Sequence, residues 1–128
     1  MVDASALLEV LLRRPRAARI ERRLLGGRDS LYAPHLVDVE VAQVLRRFEA
    51  AGDLTAERGS EALEDLVGFP LHRYSHEVLL PRIWELRRNV TAYDAAYLAL
   101  AEVLDAPLVT CDGRLRSAPG HRARVEVY

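Results

Sequence analysis

Short apolar runs alternate along this chain with segments of helical period, and four acids stand at the handovers or just inside the helices: Asp3, Glu40, Asp94 and Asp112. Alternation of this kind predicts an α/β fold, with a mostly parallel sheet covered by helices on both faces. Strand ends in such a sheet open into one cleft outside their carboxyl termini. Four carboxylates gathered there repel each other, and several stay protonated unless a cation joins them. An oxygen-only donor set suits Mg²⁺ or Mn²⁺ rather than zinc. The pattern predicts a metal-dependent enzyme acting on phosphate esters, provided the four acids converge.

The periodicity sets the expected elements. Residues 1–3 read as a short first strand, with Ser5 capping the helix after it. Leu7, Leu8, Leu11 and Leu12 have helical spacing. Pro15 suits the first turn of a second helix, whose apolar side is Ala18, Ile20, Leu24 and Leu25 and which Gly26-Gly27 ends. A second strand is expected over 31–33, then a long helix over 36–51 with Val37, Val41, Val44, Leu45 and Phe48 as its stripe. Thr55 opens another helix, a third strand lies within 69–74, and Pro81 is tolerable near the start of the helix that follows Ser75. Thr91 opens a helix to about Leu104, residues 108–110 form a strand leading to Asp112-Gly113, and 125–127 a last one. No repeat or linker interrupts the series, so residues 1–128 are expected to form a single domain.

Composition narrows the chemistry. The lone cysteine, Cys111, excludes an internal disulfide framework and a cysteine-built zinc cluster, and fits a reducing cytosol. No apolar stretch approaches the roughly 18 residues of a membrane span, and no basic-then-apolar leader opens the chain. A cytoplasmic protein without membrane attachment is expected. All 18 basic residues are arginine. Without lysine the P-loop nucleotide hydrolases and Schiff-base chemistry drop out. Haloacid-dehalogenase-type phosphatases and response-regulator receivers also build acidic pockets at strand ends, and both normally use a lysine there. Arg13, Arg14, Arg16, Arg19, Arg22, Arg23 and Arg28 form a basic block relieved only by Glu21 and Asp29. Arginine forks match phosphate, although such a run also reads as a solvated helix face.

Each acid has a structural reading beside the chemical one. Asp3 sits where helix-start acids are favoured, and Glu40 has the position of an ordinary helix acid. Thr91 and Asp94 fit a capping box; that role and metal binding are compatible, because a helix N-terminus keeps a carboxylate ionised. Asp112-Gly113 is a common turn pair. Asp38 lies about 200° around the helix from Glu40 and reads as a first-turn acid. His35, His72, His76 and His121 are scattered and read as non-catalytic, and Cys111 as a packed strand-end residue.

Four runs carry a resemblance. They are Val2-Asp3-Ala4-Ser5-Ala6-Leu7; the stretch from Pro34 to Arg47 around Asp38-Val39-Glu40; Thr91-Ala92-Tyr93-Asp94-Ala95-Ala96-Tyr97-Leu98-Ala99-Leu100-Ala101; and Leu108-Val109-Thr110-Cys111-Asp112-Gly113-Arg114-Leu115. Their content and order resemble the PIN domain, and in particular the VapC toxins of bacterial type II toxin–antitoxin systems. The resemblance implies a PIN-like three-layer α/β/α sandwich with about five strands. It implies a Mg²⁺-dependent endoribonuclease, with Mn²⁺ as substitute. Asp3, Asp94 and Asp112 would hold one or two ions, and Glu40 would complete the shell or position the attacking water. Ser5 and Thr110 match polar positions that support the acids. Arg46, Arg47, Arg114 and Arg116 are the first candidates for steering the RNA backbone.

It further implies a homodimer and a VapB-like antitoxin, for which Leu11, Leu12, Leu24, Leu25 and the Trp84 region are candidate groove residues. Two departures stand out. The first strand is shorter than usual, which leaves room for an upstream start codon, and Gln43 stands where asparagine is commoner. A PIN-like module without catalysis, or a stand-alone nuclease without antitoxin, are the competing readings.

Overall fold

A computed structural model describes residues 1–27 and 30–128, so Arg28 and Asp29 of the basic block lie outside the described residues. Seven α-helices and four strands follow one another among them: α1 Ala4–Leu11, α2 Ala17–Leu25, β1 Leu31–Pro34, α3 Leu36–Ala50, α4 Ala56–Gly68, β2 Leu71–Tyr74, α5 Leu80–Leu86, α6 Ala92–Val103, β3 Leu108–Thr110, α7 Arg114–Ser117 and β4 Val125–Val127. A 3₁₀ turn over Glu77–Leu79 leads into α5, with Pro81 in its first turn.

Two parallel strand pairs, β1 with β2 and β3 with β4, are joined through residues 1–3. The Val2 amide donates to the Tyr32 carbonyl at 3.1 Å. On the other side Asp3 donates to Val109 at 3.1 Å, and Val109 to Met1 at 3.0 Å. The order across the molecule is β2, β1, residues 1–3, β3, β4. The expected first strand is thus reduced to a single bridge at Val2. Its shortness has a local cause: the Asp3 carbonyl already accepts from Leu7 at 3.1 Å, so helix begins at once. The strand order reverses at this segment, which is where α/β sheets open their ligand crevice.

The helices form two groups. On one side α1 packs against α2, α3, α4 and β3; on the other, α6 packs on β1 and β3 with α5 against it. Helix α6 is buried at every position from Ala95 to Ala101. A helix apolar all round belongs in an interior, and its alternating alanines let it lie close to the strands. None of the described helices is long and apolar enough to cross a membrane.

Several sequence expectations shift by a residue or a face. Ser5 does not cap α1; the Asp3 side chain does, accepting from the Ala6 amide at 3.0 Å, because Asp3 has the extended backbone an N-cap needs. Pro15 lies outside α2, which starts at Ala17. That start turns Ala17, Ile20 and Leu24 inward and leaves Ala18 and Leu25 exposed. Leu11 and Leu24, expected in a partner groove, are core residues, so neither is available to a partner. Leu12 is half-buried, whereas Leu25 and Trp84 are exposed.

Candidate active site

Asp3 forms the floor of the site. It is only 6% exposed and stands between the ends of β1 and β3. One carboxylate oxygen accepts from the Ser5 hydroxyl at 2.7 Å and from the Ala6 amide; the other accepts from Thr110 Oγ1 at 2.5 Å. Thr110 is fully buried. Burial pushes the Asp3 carboxyl above its ordinary range, and the Thr110, Ala6 and Ser5 bonds pull it partly back. A buried charge is retained only where donors compensate it.

Ser5 and Thr110 do more than hold Asp3. Ser5 Oγ accepts from the Cys111 amide at 2.8 Å, and Thr110 Oγ1 accepts from the Asp112 amide at 2.8 Å. The two hydroxyls therefore tie the start of α1 to the chain leaving β3. That chain carries Asp112, whose carboxylate is gripped by Arg114 at 2.5 Å. The Arg114 bond holds Asp112 below the ordinary carboxylate range.

Glu40 enters from the second turn of α3 and is half-buried. Its Oε2 accepts from the Tyr97 hydroxyl at 2.5 Å. Burial raises its carboxyl, the Tyr97 bond lowers it, and the nearby charges of Asp3 and Asp94 raise it further. Tyr97 is 3% exposed, and burial followed by the Glu40 charge pushes its phenol far above normal. Tyr97 thus keeps its proton and serves Glu40 as a hydrogen-bond donor. Asp94 lies in the first turn of α6, where the Thr91 hydroxyl accepts from its amide at 3.1 Å and donates to its carboxylate at 2.8 Å. The expected cap and the candidate site coincide there.

All four acids line one cavity of about 760 Å³, with Ser5, Tyr97 and Cys111. Arg47 and Arg114 also face it, and so does Arg14, which the sequence placed only in the basic block. Arg46 and Arg116 are not among the lining residues; Arg46 donates to Gln43 at 3.1 Å. None of the histidines lines it, and Asp38 is engaged by Arg73 at 2.8 Å. Tyr97 was missed as a functional residue. Its partner lies 57 positions away, so no local pattern pairs them.

The donor set fits a hard cation: oxygen ligands only, with repulsion among like charges to relieve. In the arrangement described, Asp112 is turned to Arg114 and Asp94 to Thr91. No three acids, histidines or cysteines among the described residues are grouped tightly enough to hold one ion.

Comparison with known proteins places the chain in a family. A family model for the PIN domain matches residues 1–120. Ribonuclease VapC1 of Mycobacterium tuberculosis is 43% identical over 121 residues, covering 94% of this chain and 90% of that protein. VapC ribonuclease Mb0985 of Mycobacterium bovis is 45% identical over 115 residues, 90% and 87% of the two chains. The crystal structure of PAE2754 from Pyrobaculum aerophilum superposes with a TM-score of 0.71 over 98% of this chain and 81% of that one. At 23% identity it speaks for the fold alone. The family match over residues 1–120 and the superposition identify the PIN fold, so the expected fold class holds. The chain belongs to the PIN domain family and, within it, to the VapC ribonucleases.

Proposed function

We propose that this chain is a Mg²⁺-dependent endoribonuclease and the toxin of a type II toxin–antitoxin pair, acting in the cytoplasm as one domain over residues 1–128. The observation that carries the reading is a single cavity lined by Asp3, Glu40, Asp94 and Asp112, with Asp3 fixed at its floor by Thr110 and Ser5.

Asp3, Asp94 and Asp112 would hold the ion, with Mn²⁺ as substitute. A bound Mg²⁺ supplies charge neutralisation for the phosphate and an acidified water as nucleophile. The protein supplies the rest. Ser5 and Thr110 fix the Asp3 oxygens, which sets the direction of its remaining lone pairs. Tyr97 holds Glu40 Oε2, leaving Oε1 without a bonded partner among the described residues and able to orient a water. Arg14, Arg47 and Arg114 border the acids and suit the flanking phosphates of an RNA strand. Unpaired RNA fits such a cleft best, because its bases can splay away from the backbone. Family resemblance implies 5′-phosphate and 3′-hydroxyl products.

Exposed Val78, Leu80 and Trp84 fall within the 3₁₀ turn and α5. Such a run suits a homodimer contact or the apolar helix of a VapB-like antitoxin. The antitoxin would block the cleft by bringing a basic side chain to the acids.

The test is RNA cleavage by the purified protein with Mg²⁺, with EDTA, and with Asp94→Asn. Cleavage is expected in the first condition alone. Absence of Mg²⁺-dependent cleavage across an RNA pool, together with no Mn²⁺ binding, would sink the reading.

A further inference from the structure

A second open cavity, of about 640 Å³, adjoins the acidic one and shares Leu115 and three charged residues, Asp94, Asp112 and Arg114, with it. Away from those three residues its charged lining is Arg87 and Arg88, with Ser117 and Asn89 beside them. The acidic cleft thus continues without a break into a basic groove.

The groove is a built feature. Asn89 Nδ2 donates to the Pro119 carbonyl at 3.0 Å, tying one wall to the other. Gly120 follows with φ near +90°, and a Cβ placed there would lie 2.6 Å from Asn89 Nδ2. Glycine is needed at that corner both for the backbone angle and for the tie. Arg82 adds a second anchor, donating to the Gly120 carbonyl at 2.9 Å.

Arg114 is paired with Asp112 at 2.5 Å, whereas Arg87 and Arg88 are not neutralised from within the groove. Arg82, one turn earlier, is held by Glu85 and Glu102, both at 2.8 Å. Arg87 instead lies over the exposed Trp84 ring, 4.7 Å from its centroid, and donates to the Trp84 carbonyl at 2.7 Å. It has no carboxylate partner, and Arg88 has no bonded partner of any kind, among the described residues. Two uncompensated guanidinium groups, one preorganised on an aromatic plane, are suited to phosphates and stacked bases. The polyanion that would reach them is the one whose neighbouring phosphate occupies the acidic cleft.

We propose that this groove is a phosphate-binding subsite for single-stranded RNA on one side of the scissile bond, with Arg87 and Arg88 on its phosphates. The inference rests on the ribonuclease reading for its substrate class. It goes beyond that reading in giving the strand a path past Asp94 and Asp112.

The experiment compares wild type, Arg87→Gln/Arg88→Gln, Arg87→Lys/Arg88→Lys and the remote control Arg124→Gln. Cleavage kinetics are read on a short RNA and on the same RNA extended at its 5′ or its 3′ end. For one extended RNA the glutamine variant should raise KM roughly tenfold with kcat unchanged, and the lysine variant should recover part of the loss. On the short RNA and for the control, no change is expected. Anisotropy of the extended strand in EDTA gives a readout free of catalysis. There the slope of log affinity against log salt should fall by about 0.7 per lost phosphate contact. Equal KM on all RNAs, an equal loss on short and extended RNA, or an unchanged salt slope would each overturn the subsite. If the wild type cleaves no RNA, the nuclease reading fails instead, and the salt slope still judges the groove. A groove serving an acidic protein partner would leave that slope unchanged.

Discussion

Asp3 and Asp112 leave neighbouring strand ends, and their surroundings drive them in opposite directions. Asp3 is buried, meets only hydroxyls and an amide, and has its carboxyl pushed up. Asp112 stands at the rim with Arg114 upon it, and its carboxyl is pulled down. The floor therefore holds a carboxylate with no cationic partner among the described residues, whereas the rim has one in Arg114. The same side chain serves a site in two ways: as a rigid, under-compensated anchor, and as an adjustable, self-compensated arm.

Substitutions can break that contrast. Asp3→Asn should have the largest effect. Loss of an outer partner alone typically costs 10–100-fold, so loss of the anchor should lower Mg²⁺-dependent cleavage by more than about 100-fold. Asparagine remains a good N-cap, so circular dichroism should show α1 intact. Cleavage within tenfold of wild type would remove Asp3 from the site. Thr110→Val keeps the shape and deletes the 2.5 Å bond. Mn²⁺ affinity, read by calorimetry, should weaken by about 10–100-fold, and an unchanged isotherm would mean that the floor is held without it.

Tyr97→Phe removes one hydrogen bond to Glu40, worth about 1 kcal/mol net. Cleavage should fall by up to about tenfold with KM steady; a KM effect alone would assign Tyr97 to substrate binding.

The smallest effect sharpens the comparison most. In EDTA, the Asp3 contribution to stability is present below its unfolded value near 3.8 and is lost as pH rises through its raised folded value. Asp3→Asn should therefore gain melting temperature on wild type across that rise. Asp112 carries the opposite sign: its contribution is present above the unfolded value near 3.8 and is lost as pH falls through its lowered folded value. Asp112→Asn should melt a few degrees below wild type at neutral pH and match it in acid. Same-sign curves for the two variants would refute the contrast between floor and rim.

How legible each feature was in the sequence follows from distance along the chain. Thr91 and Asp94 sit three residues apart, so their cap was readable from spacing. The same cap marked the start of α6, and helical period located α3 and α4. Thr110 and Asp3 are 107 residues apart, and only the family resemblance joined them. Ser5 was misread as a cap because a serine at a helix start usually is one; its actual partners, Asp3 and the Cys111 amide, needed the fold to bring them near. Leu11 and Leu24 were assigned to a surface groove because periodicity marks an apolar face without saying what covers it. Arg14 reached the cleft through tertiary packing, with its guanidinium 4.4 Å from the centre of the Phe48 ring.

The single bridge at Val2 has a temporal side. Residues 1–3 leave the ribosome ahead of everything they pair with: Tyr32 first, then Val109 and Thr110 much later. A chain still short of Thr110 has the anchor carboxylate but neither its outer hydroxyl nor the neighbouring strand. However far synthesis has gone before that point, the acid-lined cleft is not assembled. Order of assembly thus leaves the floor of the cleft incomplete until residues 108–110 have been made and have paired beside Asp3.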